Sequence, residues 1–483
     1  MLATPSFEGV ALALVLLLPA AFLKEKAASV VMAILSFCVG IVCLADIFCQ
    51  EFFASPLNAN LVQIAAETNA REAGEFLHMF ASWILLARWR IVLSLVLLLA
   101  IPFAGYLPLS RKAARWWVAA LGLAGVIGLV SFVRDSEKAL QATAPTRFAA
   151  AVTQLRREER TLERLRESTA RAYPDSCSFD SPHVVLVIGE SFNKHRASAY
   201  GYPLETTPSL EKRAADGSLV FFADAVSPWN FTVNALTAQF ALTPDGPLFP
   251  VLLRRTGYKV NFYSNQYAPR HSLFREKDSG LLFFLRDSLI CSQLFDTRNP
   301  CTFKYDLDLV SSLPLPEEGI PTLDIIQLIG QHFDYARRYP PEFQRFSSAY
   351  DNATCYVDYV LGSLLSRYEG TGTIVVFVSD HGEDVSGSSR THDRPGPAEA
   401  RDQFEVPMFI WCSPAYAESH PDMPARIREA SARPFYTRDI SQLILGLTGL
   451  HSPWTRPSLD VLSPSYVPPR RVLAGTVDYD QLR

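Results

Sequence analysis

The sequence predicts a two-part chain: about four membrane-spanning helices, then an α/β domain around a mainly parallel sheet. Three observations predict it. Apolar residues concentrate in the first 134 positions; a charge-rich helical stretch follows; beyond residue 174 short apolar runs alternate with helical patterns. The 483 residues leave room for two or three domains at about 100–200 residues each. Only 19% of residues are charged, below the roughly one quarter of an ordinary soluble chain, as expected when a very apolar part is joined to an ordinary one. A net charge of −4 supplies no basic field and excludes a nucleic-acid partner. The apolar content of 49% excludes charge-driven disorder.

The apolar part divides into runs at residues 7–23, 28–48, 91–109 and 116–133, each about the length of one bilayer crossing. The first reads as a span rather than a cleaved leader, because three more follow and no small-residue cleavage site is evident. Lys24 and Lys26 lie in the loop after the first run, and Arg111, Lys112 and Arg115 in the loop after the third. The excess of positive charge on cytoplasmic loops puts both inside, so everything after residue 133 faces outward. Residues 76–86 are too few to span and suit an interfacial segment; inserted, they would make five spans and move the start of the chain inside.

Residues 135–173 contain helix formers with charges of both signs at i,i+4 spacing, predicting a solvated linking helix between domains at 1–134 and 174–483. In the outer domain, residues 183–189, 259–264, 373–379 and 406–411 read as buried strands, and residues 350–368 as a helix. That alternation predicts helices on both faces of the sheet. Cys38, Cys43 and Cys49 belong to the second span, where small apolar packing is their expected role. Of the five outer cysteines, Cys291 and Cys301 close a short loop and are the candidate disulfide pair.

Ligands of open α/β sheets bind beyond the carboxyl ends of strands. Glu190 follows the run HVVLVIG, and Asp380 and His381 follow TIVVFVS. Two carboxylates and an imidazole at neighbouring strand ends make a divalent-metal site, and mixed N/O ligation suits zinc. An exposed loop carboxylate is the blander reading of Glu190 alone, whereas Ser-Asp-His-Gly after an apolar strand has no evident packing use. His332 and His392 stand in loops with nearby glycines, which bring backbone close to a site. Singly, each would be an ordinary surface histidine.

Together these pieces resemble the membrane-bound phosphoethanolamine transferases of the alkaline phosphatase/sulfatase superfamily. The matching segments are VLVIGESFNKHRASAYGYPLETTPSL, SPWNFTVNALTAQF, YSNQ, IGQHFDYARRYPPEF, YDNATCYVDYVL and VSDHGED followed by His392, in the family's order. The membrane half matches more loosely, through its spans and the Thr68 and Glu72 of AAETNAREAGEFL. The resemblance implies an α/β/α outer domain in the periplasm of a bacterium, anchored in the inner membrane. It implies a zinc ion, with a second one optional, bound by Glu190, Thr232, Asp380 and His381. Thr232 would be the nucleophile that takes phosphoethanolamine from phosphatidylethanolamine and passes it to lipopolysaccharide core, lipid A or a periplasmic glucan. His332, His392, Asn265, Gln266, Thr68 and Glu72 would contact substrate. Thr237 is the alternative nucleophile; either threonine could instead cap a helix.

The chain departs from the family pattern in places. No cysteine flanks Thr232, no lysine stands near Asn265 and Gln266, Ile64 replaces an asparagine, and one of the usual five spans is missing. These differences leave the acceptor open. A glycerophosphate transferase resembling lipoteichoic acid synthase would share the metal residues. A sulfatase proper would need a Cys/Ser-x-Pro-x-Arg segment, which the sequence lacks. A catalytically dead membrane scaffold would be expected to have lost some of these residues.

Overall fold

The computed structural model describes residues 25–53, 144–267, 283–385 and 401–482, together with positions 23, 57 and 62. The predicted spans at 7–23, 91–109 and 116–133 lie outside the described residues, as do the interfacial segment, Thr68, Glu72 and His392. The described chain forms two compact units, 1–159 and 160–483.

In the first unit, helix α1 (Glu25–Phe53) contains the predicted second span. Val30, Ile34, Phe37 and Ile41, each over half exposed, recur every three or four residues and form one apolar stripe. Over the described residues alone, no helix is long and apolar enough to cross a membrane. Near its end, buried Asp46 accepts hydrogen bonds from the Leu57 amide and the Arg147 guanidinium. Arg147 belongs to α2 (Ala144–Arg171), the helix expected at residues 135–173. The two units divide within α2, so neither owns the whole helix.

The second unit is built on a seven-stranded sheet. In chain order its strands are β1 (His183–Gly189), β2 (Leu219–Phe221), β3 (Lys259–Ser264), β4 (Thr297–Arg298), β5 (Thr322–Gln327), β6 (Thr373–Ser379) and β7 (Met408–Cys412). They lie side by side as β2-β7-β6-β1-β5-β3-β4, and only β7 runs against the others. Because β1 and β6 are buried on both faces, they read as near-continuous apolar runs rather than alternating ones.

Alternate residues feed two separate cores. Val184, Leu186, Ile188, Val376 and Val378 pack against helices α4 (Thr232–Phe240), α5 (Pro250–Thr256) and α7 (Ile440–Thr448). Val185, Val187, Val375 and Phe377 pack against α3 (Pro208–Ala215) and α6 (Ala349–Tyr368). Each such fully buried side chain is worth about 1.5–3 kcal/mol, so the central strands are the most firmly held part of the unit. Their carboxyl ends carry the site.

A distant segment braces one side of that site. Arg471 binds Asp224, the Ala474 amide donates to the Pro228 carbonyl, and Leu473 packs with Val226 and Phe404. The Tyr479 hydroxyl donates to Glu405.

The proposed Cys291–Cys301 disulfide does not form, and none of the eight cysteines is in a disulfide. Cys291 lies on a helical turn (Ser288–Leu294) with its thiol directed at the Phe284 and Leu285 carbonyls, inside the apolar core. Burial pushes that thiol up to about 11.

Candidate active site

The centre of the site is a direct product of β1 and β6, which pair in register up to Gly189 and Ser379. The chain leaves β1 through Glu190 and then turns sharply at Ser191, whose φ of 55° is rarely adopted by a residue with a side chain. Surrounding contacts hold that turn: the Ser191 amide donates to Asp380 Oδ1, its hydroxyl donates to Glu190 Oε1, and its carbonyl accepts from the Tyr350 hydroxyl of α6. Gly330 presses on the same turn from the loop after β5. At φ 46°, a Cβ there would sit 2.9 Å from the Glu190 carbonyl oxygen, so a side chain would push the turn away.

Glu190, Asp380 and His381 are all buried, and one ligand atom from each lies within 4.8 Å of the others. His381 Nδ1 is 2.7 Å from the Gly382 carbonyl, which assigns a proton to Nδ1 and makes Nε2 the nitrogen that faces the carboxylates. Nε2 stands 3.4 Å from Glu190 Oε1 and 3.5 Å from Asp380 Oδ2. Asp380 Oδ1 accepts from the Ser191 and His381 amides, whereas Oδ2 is buried without a hydrogen-bond partner. A buried carboxylate oxygen left open costs stability unless something positive meets it. The donor set and this spare acceptor fit a divalent cation, with zinc the best match to mixed N/O ligation.

The electrostatics agree. Burial alone would raise the Glu190 carboxyl, but the hydrogen bond and charge of His381, then the charge of His332, hold it well below the usual range. Burial and the facing Glu190 carboxylate push Asp380 well above that range. Burial opposes an imidazolium at His381, yet Asp380 and Glu190 push it up to about 10. The three groups thus hold protons in common that a metal ion would displace.

Thr232 opens helix α4, and its hydroxyl lies 3.0 Å from Glu190 Oε2 and 3.4 Å from His381 Nε2. The first amides of a helix have no intrahelical partner and favour an anion there. Thr237, the alternative, donates instead to the Val233 carbonyl one turn back, at 2.6 Å. Its hydroxyl is occupied within its own helix, whereas that of Thr232 faces the Glu190–Asp380–His381 cluster.

The two amides of YSNQ part company. Asn265 is buried, donating to Asp306 and accepting from the Phe303 amide, and so braces the loop. Gln266 reaches the site and donates to Glu190 Oε2 at 2.6 Å. His332 is half-buried, with a buried Nδ1 lacking a partner. Its loop is held by Arg338, which donates to the His332 and Phe333 carbonyls, and by Asp306, which accepts from the Ile329 and Gly330 amides. Ser191, Gln327, Tyr350 and Asp306 went unremarked in the sequence. Only Ser191 carried a signal, as the residue following a strand-end glutamate.

The sulfatase family model matches residues 182–450, more than half of the chain. The chain is a sulfatase-family protein. Within that superfamily it belongs to the phosphoethanolamine transferases. Phosphoethanolamine transferase EptC of Escherichia coli O18:K1:H7 is 25% identical over 519 residues, covering 95% of this chain and 88% of the relative. The zinc complex of the periplasmic domain of Escherichia coli EptC aligns with 62% of this chain and 93% of its own, with a TM-score of 0.51 and 24% identity. The integral membrane phosphoethanolamine transferase EptA of Neisseria meningitidis has the same fold over 95% of this chain and 99% of its own, with a TM-score of 0.63 and 17% identity.

Proposed function

We propose that this chain transfers phosphoethanolamine from phosphatidylethanolamine to an envelope acceptor through a covalent intermediate on Thr232. The observation that carries this reading is the Thr232 hydroxyl, 3.0 Å from Glu190 within a buried Glu190–Asp380–His381 cluster and at a helix N-terminus. Glu190, Thr232, Asp380 and His381 would hold zinc, whose chemistry here is to acidify a hydroxyl and neutralise phosphoryl charge. A relative crystallised with zinc supports that choice.

Thr232 Oγ1 attacks the donor phosphorus. An Oγ–P bond forms as the P–O bond to diacylglycerol breaks, and the threonine proton passes by way of Glu190 Oε2 to the departing glycerol oxygen. The leading amides of α4 and the imidazole of His332 receive the phosphoryl oxygens. In the second half an acceptor hydroxyl attacks phosphothreonine, the P–Oγ bond breaks, and the acceptor's proton returns to Thr232. His392, Thr68 and Glu72 are further substrate contacts in this reading. The acceptor is lipopolysaccharide core, lipid A or a periplasmic glucan. The catalytic unit faces the periplasm, anchored in the inner membrane by the predicted spans, which keeps it where a lipid donor is presented.

Mass spectrometry of envelope fractions from a Gram-negative host tests this. The intact protein should add about 123 Da to one glycan or lipid fraction, the mass expected of a phosphoethanolamine passed on by a threonine nucleophile, and Thr232→Ala should add nothing. Equal addition by the variant would sink the role of Thr232. No addition and no release of diacylglycerol from phosphatidylethanolamine by purified protein would favour a different phospholipid donor or an inactive scaffold.

A further inference from the structure

A chain of side-chain hydrogen bonds with a single polarity ends on Glu190. It begins at Ser264, the last residue of β3, whose buried Oγ accepts from the backbone amides of Gln266 at 3.0 Å and Tyr267 at 2.8 Å. With its lone pairs used, the hydroxyl must donate outward, and it meets Gln327 Oε1 at 2.9 Å. Gln327, the last residue of β5 and buried, therefore turns its NH2 group to Gln266 Oε1, 2.9 Å away. Gln266 in turn can offer only its NH2 group to the site. That group donates to Glu190 Oε2 at 2.6 Å and lies 3.4 Å from the Leu328 carbonyl.

Glu190 Oε2 is the oxygen that also accepts from Thr232. One of its two donors disappears when the threonine reacts, so the other must keep the carboxylate in place. We infer that Gln327 is a positioning residue: acting through Gln266, it fixes which end of that amide faces Glu190 and so holds the carboxylate oriented towards metal and nucleophile. Gln327 touches neither. The inference rests on the reading of Glu190 as a metal ligand given under Proposed function, and adds a residue of β5 to the machinery of that site.

The polarity makes the test specific. Gln327→Glu keeps the shape but offers only acceptors, so the Gln266 NH2 turns towards residue 327 and presents its carbonyl to Glu190. Gln327→Met removes the anchor without imposing the wrong orientation. Zinc affinity of the full chain in detergent, read by competition with a chelator, should fall about 10–100-fold for Gln327→Glu, as for other groups that orient metal ligands, and by a smaller factor for Gln327→Met. The transfer kcat should fall in the same order with the KM for phosphatidylethanolamine unchanged. A packing role predicts the reverse: the isosteric Glu near wild type in zinc affinity, and Met worse, with the loss confined to the Tm of zinc-free protein. That pattern overturns the inference. If Gln327→Glu does not fold, Gln327→Met decides alone, and wild-type zinc affinity in that variant overturns the inference. A wild-type protein that binds zinc with this ordering of variants but transfers no phosphoethanolamine removes the proposed reaction and keeps the inference. One that binds no zinc removes both.

Discussion

The two ends of the central sheet carry the same residue types and put them to opposite uses. At the amino ends, His183 of β1 lies against Thr373 of β6 and Asp324 of β5, and Asn261 of β3 donates to the second oxygen of Asp324. Both oxygens of the Asp324 carboxylate have donors. At the carboxyl ends of β1 and β6, Glu190, Asp380 and His381 bring more acceptors than donors, and Asp380 Oδ2 has no partner. The difference lies in the balance of donors and acceptors rather than in burial, since every one of these residues is buried. A polar cluster that satisfies itself stiffens a fold; one left short of a positive charge is ready for a ligand.

Substitutions at the two ends should therefore fail in different ways. Asp380→Asn should cut transfer by at least about a thousandfold and zinc affinity by at least about a hundredfold, because it removes a charged ligand. Calorimetry of zinc-free protein should find it no less stable, since a buried repulsion with Glu190 is also removed. Asp324→Ala should do the reverse, costing about 3 kcal/mol of stability by stranding the His183 and Asn261 donors, with zinc affinity unchanged by chelator titration. If Asp324→Ala weakened zinc and spared stability, the contrast would be broken.

A third position separates charge satisfaction from ligation. Burial opposes ionisation of Glu405, but His195, Tyr479 and Lys194 pull its pKa down to about 2 from 4.5. A folded-state value below the unfolded one stabilises above about pH 4.5, and that stability is lost as pH falls towards 2. Melting curves between pH 7 and 3 should show a shallower acid decline for Glu405→Gln than for wild type. Ser191→Ala, which removes one donor to Glu190, should weaken zinc about tenfold by chelator competition. The smallest effect is expected at Thr237→Ala, because its hydroxyl only back-bonds within α4: transfer rates within about twofold of wild type and a stability change under about 1 kcal/mol.

The sequence was legible where burial is continuous. Residues 183–189 and 373–379 are almost wholly apolar or β-branched, residues 259–264 carry Val260, Phe262 and Tyr263, and each is a strand. β5 escaped notice because Asp324 and Gln327 interrupt it, and these are tolerated only through partners on other strands, His183 and Asn261 for one and Ser264 for the other. β2 is three residues long, too short to carry a pattern. The strand-end motifs revealed the Glu190–Asp380–His381 cluster because Ser-Asp-His-Gly has no packing use after an apolar run. Choosing Thr232 over Thr237, or Gln266 over Asn265, needed three dimensions: in each pair the unsuitable residue has spent its polar atoms on neighbouring backbone or a buried carboxylate. The expected cysteine pair failed for a related reason, since loop length says nothing of side-chain direction.

The brace between residues 471–480 and the strand leading to Thr232 has a consequence for biosynthesis. Arg471 and Asp224 are 247 residues apart in sequence. A ribosome adding roughly 5–20 residues per second makes the segment around Asp224 and Thr232 roughly 10–50 s before its support. Throughout that interval Asp224, Val226 and Pro228 lack the contacts of Arg471, Leu473 and Ala474, so this flank of Thr232 reaches its final packing only after the last stretch has been made.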